Sequence, residues 1–195
     1  MKKINYKMMK ATYNLSLTGL FIAMAYLLPF LFGNVDVLGQ MWLPMHIPIL
    51  LCAFLVGWQY AAVAGITVPL LRTLTGLRPV LPIAVSMTFE LAAYGIFAGL
   101  LYALLAKKMD RLVAVYISLI TAMIGGRIVW GIAMIPISQL FNHPAVNNYG
   151  LSAFWADGFV GAIAGIVLQL LVIPPIVIAV EQYKKNNGMK FYDAN

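Results

Sequence analysis

Charge is what this sequence has least of. Only 10% of its 195 residues are Asp, Glu, Lys or Arg, against 63% apolar, where a soluble domain carries about a quarter charged residues. That deficit excludes a water-soluble enzyme, a nucleic-acid binder and a disordered scaffold, none of which has enough polar surface at this composition. The formal charge of +7 is therefore no sign of a nucleic-acid partner. Cysteine is nearly absent too. Cys52 stands alone in an apolar run, so neither a disulfide framework nor a cysteine-rich metal site can form within one chain, and the residue reads as ordinary core. Two histidines, His46 and His143, are too few for a bis-haem span or a zinc-protease motif. There is no Walker phosphate loop, Gly-x-Ser-x-Gly elbow or paired-carboxylate metal motif. The reading is of a chain that is no enzyme, needs no cofactor and leaves any ATP hydrolysis to partner subunits.

What is present is an all-α integral membrane protein. Apolar runs bounded by Pro, Gly and charge predict six transmembrane helices of unequal length, at roughly 14–32, 44–58, 60–75, 80–106, 112–140 and 153–180. Together they form one membrane domain over residues 1–195. The second and third runs fall short of the ~20 residues that cross a ~30 Å hydrocarbon core, and the last three exceed it. Unequal lengths point to a built cavity. Ten of the thirteen cations fall in three clusters: Lys2, Lys3, Lys7 and Lys10; Lys107, Lys108 and Arg111; Lys184, Lys185 and Lys190. The positive-inside rule places all three, and hence both termini, in the cytoplasm of a multi-pass cell-membrane protein. The basic start runs into apolar sequence without a small-residue cleavage site, which reads as a retained first helix.

Two polar loops, 33–43 and 141–152, then face outward. They mix aromatics, amides and glycine without a charge run, which suits covering a small polar ligand as well as making ordinary surface connections. Gly95 and Gly99, and Gly161 and Gly165, stand four apart, and Gly158 with Ala162 extends the small patch; such spacing marks close helix packing. No internal repeat favours an inverted-repeat carrier.

The informative residues are the polar ones inside the spans. Glu90 lies about ten residues into the fourth helix and Arg127 about fifteen into the fifth, near mid-membrane at 1.5 Å per residue. A charge there costs ~2.5–3.5 kcal/mol even on insertion scales. Antiparallel neighbours bring the two to similar depth, so they are each other's expected partners, either binding ligand or only setting helix register. Trp130, three residues after Arg127, stacks on a flat ligand or anchors packing. His46 and Asp157 stand near the outer surface as candidates to close a pocket from above, with a structural histidine and a helix-dipole aspartate as the plainer readings. Arg72 and Arg78 flank the third connection, where snorkelling to headgroups competes with attraction of an anionic solute.

Leu43-Pro44-Met45-His46-Ile47-Pro48-Ile49-Leu50, Gly57-Trp58-Gln59-Tyr60, Pro69-Leu70-Leu71-Arg72 and Phe89-Glu90-Leu91-Ala92-Ala93-Tyr94-Gly95 resemble the substrate-binding S components of energy-coupling factor transporters. The likeness covers nearly the whole chain through its length and six helices. It implies a small vitamin-binding membrane subunit that docks with a transmembrane coupling subunit and two cytoplasmic ATPases, and topples in the bilayer to deliver its cargo. It also implies a pocket in the outer halves of helices four to six, closed by the loop corresponding to Gly39 through His46. Family members meet the coupling subunit through two alanines on the first helix. Here Gly19 and Ala23 hold that spacing, a departure in one residue that leaves internal packing as the alternative. The expected substrate-binding set is His46, Glu90, Arg127, Trp130 and Asp157. An anionic vitamin such as pantothenate would use Arg127. A flat ring such as hydroxymethylpyrimidine or a pyridoxine-like compound would use Glu90 and Trp130. A stand-alone proton-coupled carrier or channel with Glu90 as relay is the alternative, and a structural subunit the third.

Overall fold

The computed structural model describes residues 2–32, 36–141, 143–144, 146 and 149–187. Among them there is no strand, and six helices have ten residues or more: α1 Lys2–Leu27, α3 His46–Leu55, α4 Trp58–Leu74, α5 Leu81–Leu105, α6 Arg111–Leu140 and α8 Ile163–Asn186. Of two short helices, α2 Asp36–Trp42 lies in a segment expected to be a loop, and α7 Leu151–Trp155 straddles the expected boundary between the second loop and the last span. Residues 33–35, 142, 145, 147 and 148 of those segments lie outside the described residues, as does Lys190 of the basic tail.

Length separates the helices as expected. The apolar α3 has only ten residues and α4 seventeen, whereas α5 has 25 and α6 has 30. Four segments are long and apolar enough to cross a bilayer: Met8–Leu31, Leu81–Leu105, Arg111–Leu140 and Leu151–Asn186. The last is not the continuous helix the apolar run predicts. A π-turn over Ala156–Val160 and a break at Gly161 and Ala162 interrupt it. The Gly161 amide donates back to the Ala156 carbonyl at 2.7 Å, and glycine weakens a helix interior at this point.

The pattern on α6 shows how a helix that is apolar all round still has an inside. Ile117, Ile120, Ile124, Ile128, Ile132 and Ile135 are exposed, three or four residues apart, on the face left to lipid. The other face carries Ser118, Ala122, Gly126, Arg127, Trp130 and Met134, all buried. Small residues then set the spacing of its neighbours. On α4 and α5, Trp58 meets Gly99, Ala61 meets Gly95 and Gly65 meets Leu91, turn after turn, so the backbones touch. A Cβ on Gly95 would stand 2.8 Å from the Ala61 backbone, so Gly95→Val is expected to cost about 1–3 kcal/mol by overpacking. Thermal unfolding in detergent reads this, and an unchanged midpoint would mean the two helices separate freely. Gly165 likewise lies against Trp42 and Leu43, whereas Gly161 faces only its own turn.

The bundle has two chemically distinct ends. At the basic end, which carries Lys107, Lys108, Arg111, Lys184 and Lys185, the Lys184 ammonium donates to the Leu55 carbonyl at 3.2 Å and so caps α3. Glu181 there accepts from the Tyr102 hydroxyl and, at 2.8 Å, from Arg111. The opposite end is tied by Arg72. Far from snorkelling, Arg72 is fully buried. Its Nε donates to the Arg78 carbonyl at 2.8 Å and its Nη1 to the Tyr26 carbonyl. Its guanidinium lies 5.5 and 5.3 Å from the ring centroids of Tyr26 and Phe30. Thr73 adds a bond to the Pro79 carbonyl, and Thr75 pairs with the Tyr26 hydroxyl. The end of α1, the end of α4 and the following loop are thereby one unit.

Candidate functional site

Between these ends the helices enclose a polar layer. Leu43 closes α2 in the left-handed region at φ 50°, its amide bonded to the Gly39 carbonyl, and the chain turns directly into α3. That turn sets His46 on the first residue of α3, facing α5. On α5, Glu90 and Tyr94 are four residues apart and share a face. On α6, Gly126 leaves room for the Tyr94 ring, since a Cβ there would lie 2.5 Å from it, and Arg127 follows at once.

The three polar side chains converge on one oxygen. Glu90 Oε1 lies 2.9 Å from Arg127 Nη1 and 3.3 Å from His46 Nε2. Glu90 and His46 are 1% exposed and Arg127 5%, so the charges face each other in a low-dielectric interior. Such a pair is about neutral or unfavourable for stability next to apolar residues of similar volume. Its presence at mid-bundle points to another use. The Tyr94 ring meets His46 edge-on at 5.1 Å.

Aromatic residues roof the layer on the α6 side. Arg127 lies 6.0 Å from the Trp130 ring centroid. Trp130 packs edge-on against Tyr149 at 5.6 Å and stacks loosely on Phe154 at 6.5 Å. Gly131 and Gly158 give Phe154 and Trp130 their space. Burial, followed by the nearby charges of Asp157 and Glu90, pushes the Tyr149 hydroxyl up to about 12. It therefore remains a neutral donor throughout the physiological range.

Hydrogen-bonding capacity is left over here. Arg127 Nε and Nη2, His46 Nδ1 and the Tyr94 and Tyr149 hydroxyls are buried without a well-formed hydrogen bond, although the Tyr94 hydroxyl lies within reach of Arg127; both amide atoms of Gln169 on α8 and the Ser118 hydroxyl on α6 are likewise unpaired. Buried polar groups are ordinarily satisfied, which makes this layer the candidate binding site. His46, Glu90, Arg127 and Trp130 thus meet, with His46 in the core instead of near the surface. Asp157 does not join them: it lies exposed within the π-turn, not at a helix start, although its charge reaches Tyr149. Tyr94, Tyr149 and Gln169 went unread in the sequence. Two signals were available: Tyr94 follows Glu90 by one turn, and Gln169 is a lone amide in an apolar run. Among the described residues no cluster of metal-ligating side chains occurs.

A bundle of apolar helices defines a membrane protein, and the buried, incompletely satisfied polar layer within it is the candidate binding site. Residues 14–177 match the family model of the ECF transporter substrate-specific component, and the chain belongs to that family. Its members bind a transport substrate, are not enzymes, and associate with coupling and ATPase subunits. No curated protein and no solved structure matches the chain.

Proposed function

We propose that this chain captures a small water-soluble vitamin or vitamin precursor, of the hydroxymethylpyrimidine, pyridoxine-like or pantothenate type, at the outer face of the cell membrane. The cargo is released inward through a transmembrane coupling subunit driven by two cytoplasmic ATPases. The observation that carries this reading is Arg127: one guanidinium nitrogen is held by Glu90 while two others are buried and make no well-formed hydrogen bond. In this reading the basic end is cytoplasmic, in accord with the charge rule, and the aromatic roof faces outward. Asp157 stands at the entrance and the polar layer holds the ligand.

Docking falls to α1. Gly19 and Ala23 both lie exposed, and nothing stands within 4 Å of a Cβ built on Gly19, so the pair offers a shallow strip on which another helix can approach closely. Joint Gly19→Leu and Ala23→Leu substitution is expected to abolish co-purification with the coupling subunit and leave ligand binding intact. Loss of both properties would place the pair inside the fold.

The capture itself is tested on the purified chain in detergent, without ATP, by mass spectrometry of what denaturation releases. A stoichiometric vitamin supports the proposal. Proton-coupled uptake into liposomes by the chain alone would overturn it in favour of a carrier with Glu90 as relay.

A further inference from the structure

The unpartnered groups describe the ligand's chemistry, given that the polar layer is the binding site proposed above. On Arg127, the Glu90 bond uses Nη1, and Nε and Nη2, which make no well-formed hydrogen bond though the Tyr94 hydroxyl is near, lie along one edge of the planar guanidinium. Two parallel donors on one edge match a planar group with two acceptors side by side. A carboxylate has that shape, and so does the edge of a heteroaromatic ring where a ring nitrogen adjoins a carbonyl or hydroxyl oxygen.

Charge separates the two. Glu90 already neutralises Arg127, and the His46 tautomer that donates Nε2–H to Glu90 adds no charge and offers Nδ1 as an acceptor. Toward the roof the acidic Asp157, exposed in the π-turn, acts on Tyr149 and supplies no further cation. A carboxylate ligand would leave a net negative charge in this interior, where an uncompensated ion is strongly disfavoured. An uncharged ring leaves the balance at zero, and Trp130, Tyr149 and Phe154 supply flat apolar surface for it.

Gln169 supplies the second polar contact. α3 and α8 run parallel, since Leu43 meets Gly165 near one end and Leu55 meets Lys184 at the other. One turn beyond Gly165 is Gln169, and three residues beyond Leu43 is His46, so the amide lies level with the imidazole on the neighbouring helix. Gln169 is 0% exposed, and neither its oxygen nor its nitrogen has a partner. A side-chain amide presents one acceptor and two donors, which reads a matching donor and acceptor pair.

We infer that the ligand is an uncharged planar heteroaromatic compound, held at a two-acceptor edge by Arg127 Nε and Nη2 and read at a donor and acceptor pair by Gln169. Gln169 is thereby a specificity-determining residue of the site.

Calorimetric titration of the full chain in detergent with two sets of compounds tests this. The uncharged set is riboflavin, lumichrome and cytosine, each of which sets a ring nitrogen beside a carbonyl oxygen; the carboxylate set is nicotinate, pantothenate and biotin. The expected result is tight binding confined to the uncharged set. Gln169→Leu is then expected to weaken it at least tenfold without lowering the thermal midpoint, because an apolar residue of similar shape removes a buried unpaired amide. Tight binding of a carboxylate would overturn the inference and leave the capture reading standing. Full affinity in Gln169→Leu would remove Gln169 from the site. Binding of neither set would reject the polar layer as a site for such a vitamin.

Discussion

Arg127→Met alone is expected to destabilise the protein by about 3–5 kcal/mol, because it leaves the Glu90 carboxylate buried without its cation. Only His46 remains to pair with that carboxylate, at 3.3 Å. Adding Glu90→Leu is expected to recover most of the loss, since no charge then needs desolvating, although His46 loses its acceptor. Stability and binding therefore come apart. The double variant folds at close to the wild-type midpoint and gains no thermal protection from ligand, whereas the wild type is protected in proportion to ligand concentration. Thermal unfolding in detergent with and without ligand measures both. A double variant that still binds would assign the pair to helix register alone.

The second large effect lies at one end of the bundle, at the close of α4. Arg72→Met is expected to cost about 2–4 kcal/mol, because the part-buried carbonyls of Tyr26 and Arg78 lose a charged donor, at about 1–2 kcal/mol each. The two aromatic rings lose their cation as well. Arg72→Lys should recover only part of this, since a point charge on a flexible stem cannot hold two carbonyls and lie flat between two rings. Denaturation midpoints for both variants check the order, and a lysine variant as stable as wild type would show that charge alone suffices there.

The spans were legible because a bilayer penalises charge so heavily that its residues bracket them. The predicted runs 80–106 and 112–140 differ from α5 and α6 by one residue at most at either end. Glu90 and Arg127 were equally plain, as mid-span charges on consecutive antiparallel helices. What escaped the sequence depends on contacts between distant segments. Arg72 sits at a helix end, where position alone argues for headgroups; its true partners, Tyr26 at the end of α1 and Phe30 in the turn just after it, are more than forty residues away. Asp36–Trp42 is too short and too polar to announce a helix. Asp157 was drawn toward the pocket by a helix start that does not exist. Pro174 and Pro175, the strongest breakers in the last run, do not end α8, while the interruption at 156–162 is marked only by small residues.

That interruption also changes what a single stretch of chain can reach. In an unbroken helix, residues seven apart point the same way to within about 20°. Gly158 and Gly165 are seven apart, yet one rests on Trp130 of α6 and the other on Trp42 and Leu43 at the close of α2. The wide turn works as a change of phase: it uncouples the angular setting of the roof from that of the shaft below. Phe154 and Gly158 are thereby set against Trp130 of α6, while Gly165 is set against the close of α2 and Gln169 stays buried, two bearings that one straight helix could not give seven residues apart.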